Sequence, residues 1–311
     1  MSADRIDVHQ HVLPPFWIAG LKARSSVHRP PAWTPQAAIS YMDSRQIAKG
    51  ILSLTAPAIS DWAEDERPEI ARNVNEYTAN LVELWPQRFG HFATLPLPNI
   101  DHALSELAYA LDTLAADGVV LLSNYGDRYL GDPWFEPLWT ELNRRQAVVF
   151  IHPTRNTLRE LAGIPAPFLD FPCDTTRTAN DMVVNGVLDR YRNIRVILSH
   201  AGGFVPYAVQ RFAACAALMP GAPGADAIVA SFRNFYFDTA LSSSPYTMPS
   251  LKAFADPSRI LFGSDFPYGP GGAAEQFTSM LDASTLLSDA ERTAVNRTNA
   301  LPLFERTHAA R

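Results

Sequence analysis

Val148-Val-Phe-Ile-His152 is a run of four β-branched or aromatic residues closed by a histidine. So short and unbroken an apolar run suits a strand buried on both faces. Similar runs lie on either side. Upstream are Arg5-Ile-Asp-Val-His9, Gly50-Ile-Leu-Ser-Leu54, Phe89-Gly-His-Phe-Ala-Thr-Leu95 and Gly118-Val-Val-Leu-Leu122. Downstream are Arg195-Val-Ile-Leu-Ser-His200, Asn234-Phe-Tyr-Phe-Asp238 and Arg259-Ile-Leu-Phe-Gly-Ser-Asp265. Amphipathic stretches that read as helices separate them: Glu69 to Trp85, Asp101 to Ala115, Trp134 to Arg145 and Thr178 to Tyr191. Eight apolar strands alternating with helices predict an α/β fold, a (β/α)8 TIM barrel, with a doubly wound sheet as the alternative. Residues 16 to 35, with Pro30, Pro31 and Pro35, read as a long loop after the first strand, at the rim of a site. Ser288 to Arg306 reads as one or two closing helices, opened by Ser288 with Glu291 three residues on, in the capping-box arrangement. No linker, repeat or charge block divides the chain, so residues 1–311 are expected to form a single domain.

The 311 residues are 47% hydrophobic and 19% charged, a globular composition. Lys and Arg number 26 against 32 Asp and Glu, a formal net charge of -6, with the basic residues scattered. That distribution lacks the basic footprint of a nucleic-acid binder. Cys173 and Cys215 sit in no metal-binding or disulfide pattern, which points to a reducing compartment. The charged start Met-Ser-Ala-Asp-Arg disfavours an export signal, and the expectation is a cytoplasmic protein. Apolar runs such as Gly118 to Leu122 fall far short of the ~20 residues that span a bilayer, so no membrane insertion is expected.

Metal-ligand residue types cluster at the strand ends. His9 and His11 are two apart, so on a strand both point to one face. His152 closes the fifth strand, His200 the sixth and Asp265 the eighth. In a barrel the C-terminal strand ends form the catalytic face, so the topology would gather these five groups from four strands. Any one histidine could be structural, but the set together points to a metal site. Asp7 shares the His9 face one layer deeper and is expected to hydrogen-bond below the site. His28, His91, His102 and His308 lack partners at telling positions and read as surface or supporting residues.

Ile6-Asp-Val-His-Gln-His11, Phe150-Ile-His-Pro153, Ser199-His-Ala-Gly-Gly203 and Leu261-Phe-Gly-Ser-Asp-Phe-Pro267 resemble motifs of the amidohydrolase superfamily, in its decarboxylase-rich branch. The resemblance also takes in Gly131-Asp-Pro-Trp-Phe-Glu-Pro-Leu-Trp139, Asn299-Ala300 and Leu303-Phe304. His11-Val-Leu-Pro-Pro15 and Leu52-Ser-Leu-Thr-Ala-Pro57 look most like the 6-methylsalicylate decarboxylase group. The resemblance implies one divalent metal, zinc or else manganese, on His9, His11, His152 and Asp265, with His200 as the acid/base residue. Many hydrolases of the superfamily place a carboxylated Lys after the fourth strand to bridge a second metal. Here Leu121-Leu-Ser-Asn-Tyr125 has no Lys, so a single metal is predicted.

A mononuclear site with three nitrogens and one oxygen serves two chemistries. It activates water against a lactone or amide, or it grips the carboxylate and ortho-hydroxyl of an aromatic acid that loses CO2. Decarboxylation needs a proton at the carbon bearing the carboxylate, from Asp265 or His200. The resemblance favours the decarboxylase, acting on a hydroxybenzoate or salicylate-like acid, and leaves the hydrolase as the alternative. Arg211, eleven residues after His200, resembles the Arg that related aminocarboxymuconate semialdehyde decarboxylases extend to a neighbouring subunit's substrate; this implies a homodimer, against the reading of a surface helix Arg. Those relatives also carry an Arg in the helix before the second strand, where this chain has Ala37-Ala38, which counts against their substrate. Phe16, Trp17, Phe266 and Tyr268 flank the ligands and either wall an aromatic pocket or pack in the core.

Overall fold

A computed structural model describes residues 4–156, 161–269 and 272–304. Eight parallel strands follow one another around a barrel: β1 Arg5–His11, β2 Ile47–Ser53, β3 Phe89–Thr94, β4 Gly118–Leu122, β5 Val148–His152, β6 Arg195–Leu198, β7 Tyr236–Asp238 and β8 Ile260–Leu261. Each pairs in parallel with its neighbours in chain order. The segment after β8 closes the ring onto β1: Val8 N–H donates to Phe262 O at 3.0 Å, Asp265 N–H to His9 O at 2.8 Å, and His11 N–H to Phe266 O at 2.9 Å. The fold is the predicted (β/α)8 barrel.

Alternation along the strands sorts the core into two layers. Ile6, Val8, Ile51, Phe92, Val120, Val148, Phe150, Ile197 and Leu261 fill the lumen, where Phe92 and Phe150 stack at 5.6 Å between ring centres. Ala300 and Leu303 pack against this layer, with Phe304 5.9 Å from Phe92. Full burial of each Val, Ile, Leu or Phe in this layer contributes ~1.5–3 kcal/mol of transfer free energy. The opposite strand faces meet the surrounding helices in a second, larger apolar cluster.

Five elements depart from the expectation. Residues 16 to 35 are not one loop: Pro15 opens a helix, Pro15–Ala23, at the first helical position, where its missing N–H costs nothing. Only the stretch from Arg24 to Thr34 is irregular, and Ser26, Val27 and His28 from it line the main cavity. The helix expected from Thr178 begins at Ala166 and runs to Val184 through Pro172, a residue that ordinarily ends a helix. β6 and β8 stop short of His200 and Asp265, which lie on the turns beyond them. A two-stranded antiparallel hairpin, Asn124–Tyr125 with Arg128–Tyr129, follows β4. The Ser288 and Glu291 capping box forms as read, opening the helix Asp289–Thr293; Leu301–Phe304 forms the last described turn. Residues 305–311, with His308, lie outside the described residues.

Candidate metal centre

β1 delivers His9 and His11 to the mouth of the barrel, β5 ends on His152, and the turn after β8 brings Asp265 to meet them. Asp265 takes a φ of 64°, which non-glycine residues rarely adopt, and its amide bond to His9 O holds it there. One ligand atom from each of the four buried side chains lies within 4.8 Å of the other three. His9 Nε2 is 3.2 Å from His11 Nε2, and Asp265 Oδ1 is 2.9 Å from His11 Nε2 and 3.3 Å from His9 Nε2.

Partners behind the rings fix their tautomers. His9 Nδ1 donates to Asp238 Oδ2 at 2.8 Å, His11 Nδ1 to Ser53 O at 3.2 Å, and His152 Nδ1 to Pro153 O at 2.8 Å. With each Nδ1 carrying a proton, the Nε2 lone pairs converge beside a carboxylate. Lone pairs 3.2 Å apart repel unless a cation lies between them, so the donor set fits one divalent metal. Without an ion, the bare cluster draws a second proton onto His9 in place of a cation. Burial disfavours a charged His9, yet the carboxylates of Asp238 and Asp265 outweigh it and push the ring up to about 10. Burial, then the neighbouring His11 and His9, hold His152 well below its ordinary value. Burial would raise Asp265, but the imidazoles of His9, His11 and His200 keep it well below the carboxylate range.

His200 differs from the three ligand candidates. It sits in a turn where His200, Ala201, Gly202 and Gly203 all have positive φ, at 54°, 56°, 73° and 63°. Its backbone N–H donates to Asp238 Oδ1 at 2.9 Å, and its Nε2 is 3.4 Å from Asp265 Oδ2. Its Nδ1 has no hydrogen-bond partner among the described residues. Gly203 makes the turn possible, since a Cβ there would sit 2.1 Å from Pro172 O on the adjacent helix.

The site opens into a cavity of about 780 Å³ lined by His152, His200 and Asp265 together with Asn124, Tyr125, Phe168, Phe171 and Tyr268. Tyr268 stands with its ring edge-on to His11 at 5.4 Å and its hydroxyl 2.9 Å from His28 Nε2. His28, read as a surface or supporting residue, therefore lines the cavity; burial lowers its pKa to about 4. Phe16 and Trp17 are not among the lining residues. Phe16 packs edge-on to Tyr77 on the outside of the barrel, and Trp17 is wholly buried with Nε1 donating to Ala58 O at 2.7 Å. Both lie on the helix Pro15–Ala23 that replaces the expected loop. Phe266 stacks on Tyr41 at 4.2 Å. Arg211 is exposed on the helix Val205–Ala216, away from the cavity lining, although Pro206 and Tyr207 at the start of that helix line it. His91 is buried on β3, not at the surface, whereas His102 is exposed. Asp7 lies below the site and accepts from His9 N, Ser264 N and Gln10 Nε2, and burial raises its pKa to about 6.

Asp238 was not singled out in the sequence, although it closes the seventh strand as Asp265 follows the eighth. It joins His9 and His200 and also accepts from Ala240 N at 2.9 Å.

The model of the amidohydrolase family matches residues 6–306. The chain belongs to the amidohydrolase family. This amidohydrolase is 40% identical to the 6-methylsalicylic acid decarboxylase of Penicillium expansum, over 97% of its own chain and 96% of that protein. Among solved structures it resembles an amidohydrolase II at a TM-score of 0.91 and 30% identity, covering 97% of this chain and 100% of that one. It also resembles a dihydroxybenzoic acid decarboxylase from a Polaromonas species, solved with bound manganese and the inhibitor 2-nitroresorcinol, at a TM-score of 0.80 and 25% identity over 98% and 97% of the two chains.

Proposed function

We propose that this amidohydrolase is a metal-dependent, non-oxidative decarboxylase of a hydroxybenzoate or salicylate-like acid. The observation that carries the reading is the pairing of His200 with Asp265 at the floor of an aromatic-walled cavity, beside a donor set for one ion and with no Lys after β4. His9, His11, His152 and Asp265 would hold the ion, zinc first and manganese second, which when bound supplies Lewis acidity toward the substrate's oxygens.

The chain's own residues handle the proton and the ring. The three rings that would hold the ion are tied at Nδ1, whereas His200 has its Nδ1 unpartnered among the described residues and its Nε2 beside Asp265. His200 and Asp265 together deliver a proton to the ring carbon that bears the carboxylate. The C–C bond then breaks, its electron pair restores the aromatic ring, and CO2 leaves. Tyr268 and Phe171 flank the site and provide faces for an aromatic acid; Phe171 stands edge-on to His152 at 6.3 Å.

No described helix is long and apolar enough to cross a membrane. We place the protein in the cytoplasm, acting as one domain and as a homodimer that brings Arg211 of one subunit toward the other's cavity. The support for pairing is the apolar rim: Phe168, Tyr207 and Tyr246 line the cavity mouth and are 66%, 86% and 89% exposed. The deciding experiment follows CO2 release by metal-loaded protein from a panel of hydroxybenzoates, beside lactone and amide panels. CO2 from 6-methylsalicylate supports the reading; turnover of a lactone or amide alone replaces it with the hydrolase.

A further inference from the structure

One buried carboxylate stands outside this machinery. Asp174, on the helix Ala166–Val184, is wholly buried and accepts four hydrogen bonds from neutral donors on three other segments. Oδ2 receives the Ser123 hydroxyl, and Asn124 Nδ2 at 2.7 Å; Oδ1 receives Tyr129 Oη at 2.7 Å and Asn156 Nδ2 at 3.1 Å. The residue thereby ties the end of β4, the hairpin and the loop after β5 to the helix that carries Phe168 and Phe171 into the cavity. Ser123 Oγ in turn accepts from Thr154 N at 3.0 Å, two residues beyond His152.

The consequence falls on Asn124, which lines the cavity one strand away from His152. Its Nδ2 protons are both engaged, by Asp174 and by Arg155 O at 3.2 Å. Two acceptors at that end fix the amide one way round, and the carbonyl oxygen is left as its polar group for the cavity. We infer that Asp174 is a positioning residue that holds the Asn124 amide with its oxygen toward the cavity, as an acceptor for a hydroxyl on the substrate ring. The inference rests on the aromatic-acid reading and deepens it, since an acceptor at the wall selects a hydroxylated ring over an alkoxylated one. A binding site built to pair with a hydroxyl rejects the analogue lacking the proton, because the acceptor is then left buried and unmet.

The test uses metal-loaded protein and 2-hydroxybenzenesulfonate, which has no carboxylate to lose, against 2-methoxybenzenesulfonate, with affinities measured by calorimetry. Wild type should prefer the hydroxy compound by about tenfold or more. Asn124→Ala and Asp174→Asn should each abolish that preference while metal content and affinity for unsubstituted benzenesulfonate stay unchanged. The double variant should be no worse than Asn124→Ala alone, because both changes remove one interaction. A preference that survives Asp174→Asn, or effects that add in the double variant, overturns the assignment. Where Asp174→Asn does not fold, Tyr129→Phe and Ser123→Ala each remove one donor from the same carboxylate; both should weaken the preference, and an unaltered preference in both overturns it equally. Absence of CO2 release from 6-methylsalicylate with an intact hydroxyl preference would defeat the decarboxylase reading alone.

Discussion

The carboxylate of Asp238 connects His9 to His200: Oδ2 accepts from the His9 ring at 2.8 Å while Oδ1 accepts from the His200 backbone at 2.9 Å. One side chain from β7 thus orients a ligand candidate and also holds the strained turn that presents the candidate proton carrier, His200.

Asp238→Asn should therefore weaken both functions without unfolding the barrel. Partners behind metal-bound imidazoles typically contribute 10- to 100-fold in metal affinity. Chelator competition should register a loss of about that size, with near-UV circular dichroism unchanged. Wild-type metal affinity in this variant would remove Asp238 from the site.

His200→Asn should separate proton handling from metal binding. Metal content should be retained, and kcat should fall about 10²- to 10⁴-fold, the usual contribution of a positioned acid or base. Decarboxylation in heavy water by wild type should place one deuterium on the carbon that loses CO2. Loss of the metal in His200→Asn would instead make His200 a fifth ligand.

His152→Ala, or dialysis against a chelator, should lower metal content, activity and thermal midpoint together, because an ion bound only by the native state stabilises it by mass action. Adding zinc or manganese back should restore all three to the chelated wild type and none to His152→Ala. Full occupancy with normal turnover in His152→Ala would contradict the assignment.

His28 gives a pH signature. Burial holds it at about 4 in the folded chain, against the ordinary 6.5 of an unfolded histidine. Between those values the unfolded chain binds more protons, so this group's contribution to stability falls as pH drops from about 6.5 to about 4. Denaturant midpoints at pH 7 and pH 4.5 should drop less in His28→Gln than in wild type. Parallel drops would show that the His28 ring titrates normally.

The barrel was legible because eight short, mostly apolar runs alternate with amphipathic stretches, the pattern of parallel strands covered by helices. His9, His11, His152, His200 and Asp265 were legible because strand ends put polar groups where the runs stop. Asp238 ends a run in the same manner, but a lone Asp carries no sign of which imidazole it faces. Asp174 was hidden further, mid-helix in a segment that Pro172 disguises as loop. Phe16 and Trp17 read equally as pocket wall or core from their place in the sequence; a helix turns its residues by 100° at each step, and neither side chain lines the cavity.

The seam between Asp265 and His9, closed by the 2.8 Å backbone bond, also sets the order in which the protein can mature. A nascent chain that has emerged only as far as Leu261 already holds the imidazoles of His9, His11 and His152 but not the carboxylate that stands beside them. Its first strand still lacks the neighbour that shuts the ring. Closure of the barrel is thus a late event of biosynthesis, as capture of an ion on these residues would be, and a polypeptide cut short before Asp265 would expose an open sheet edge to the cell's quality control.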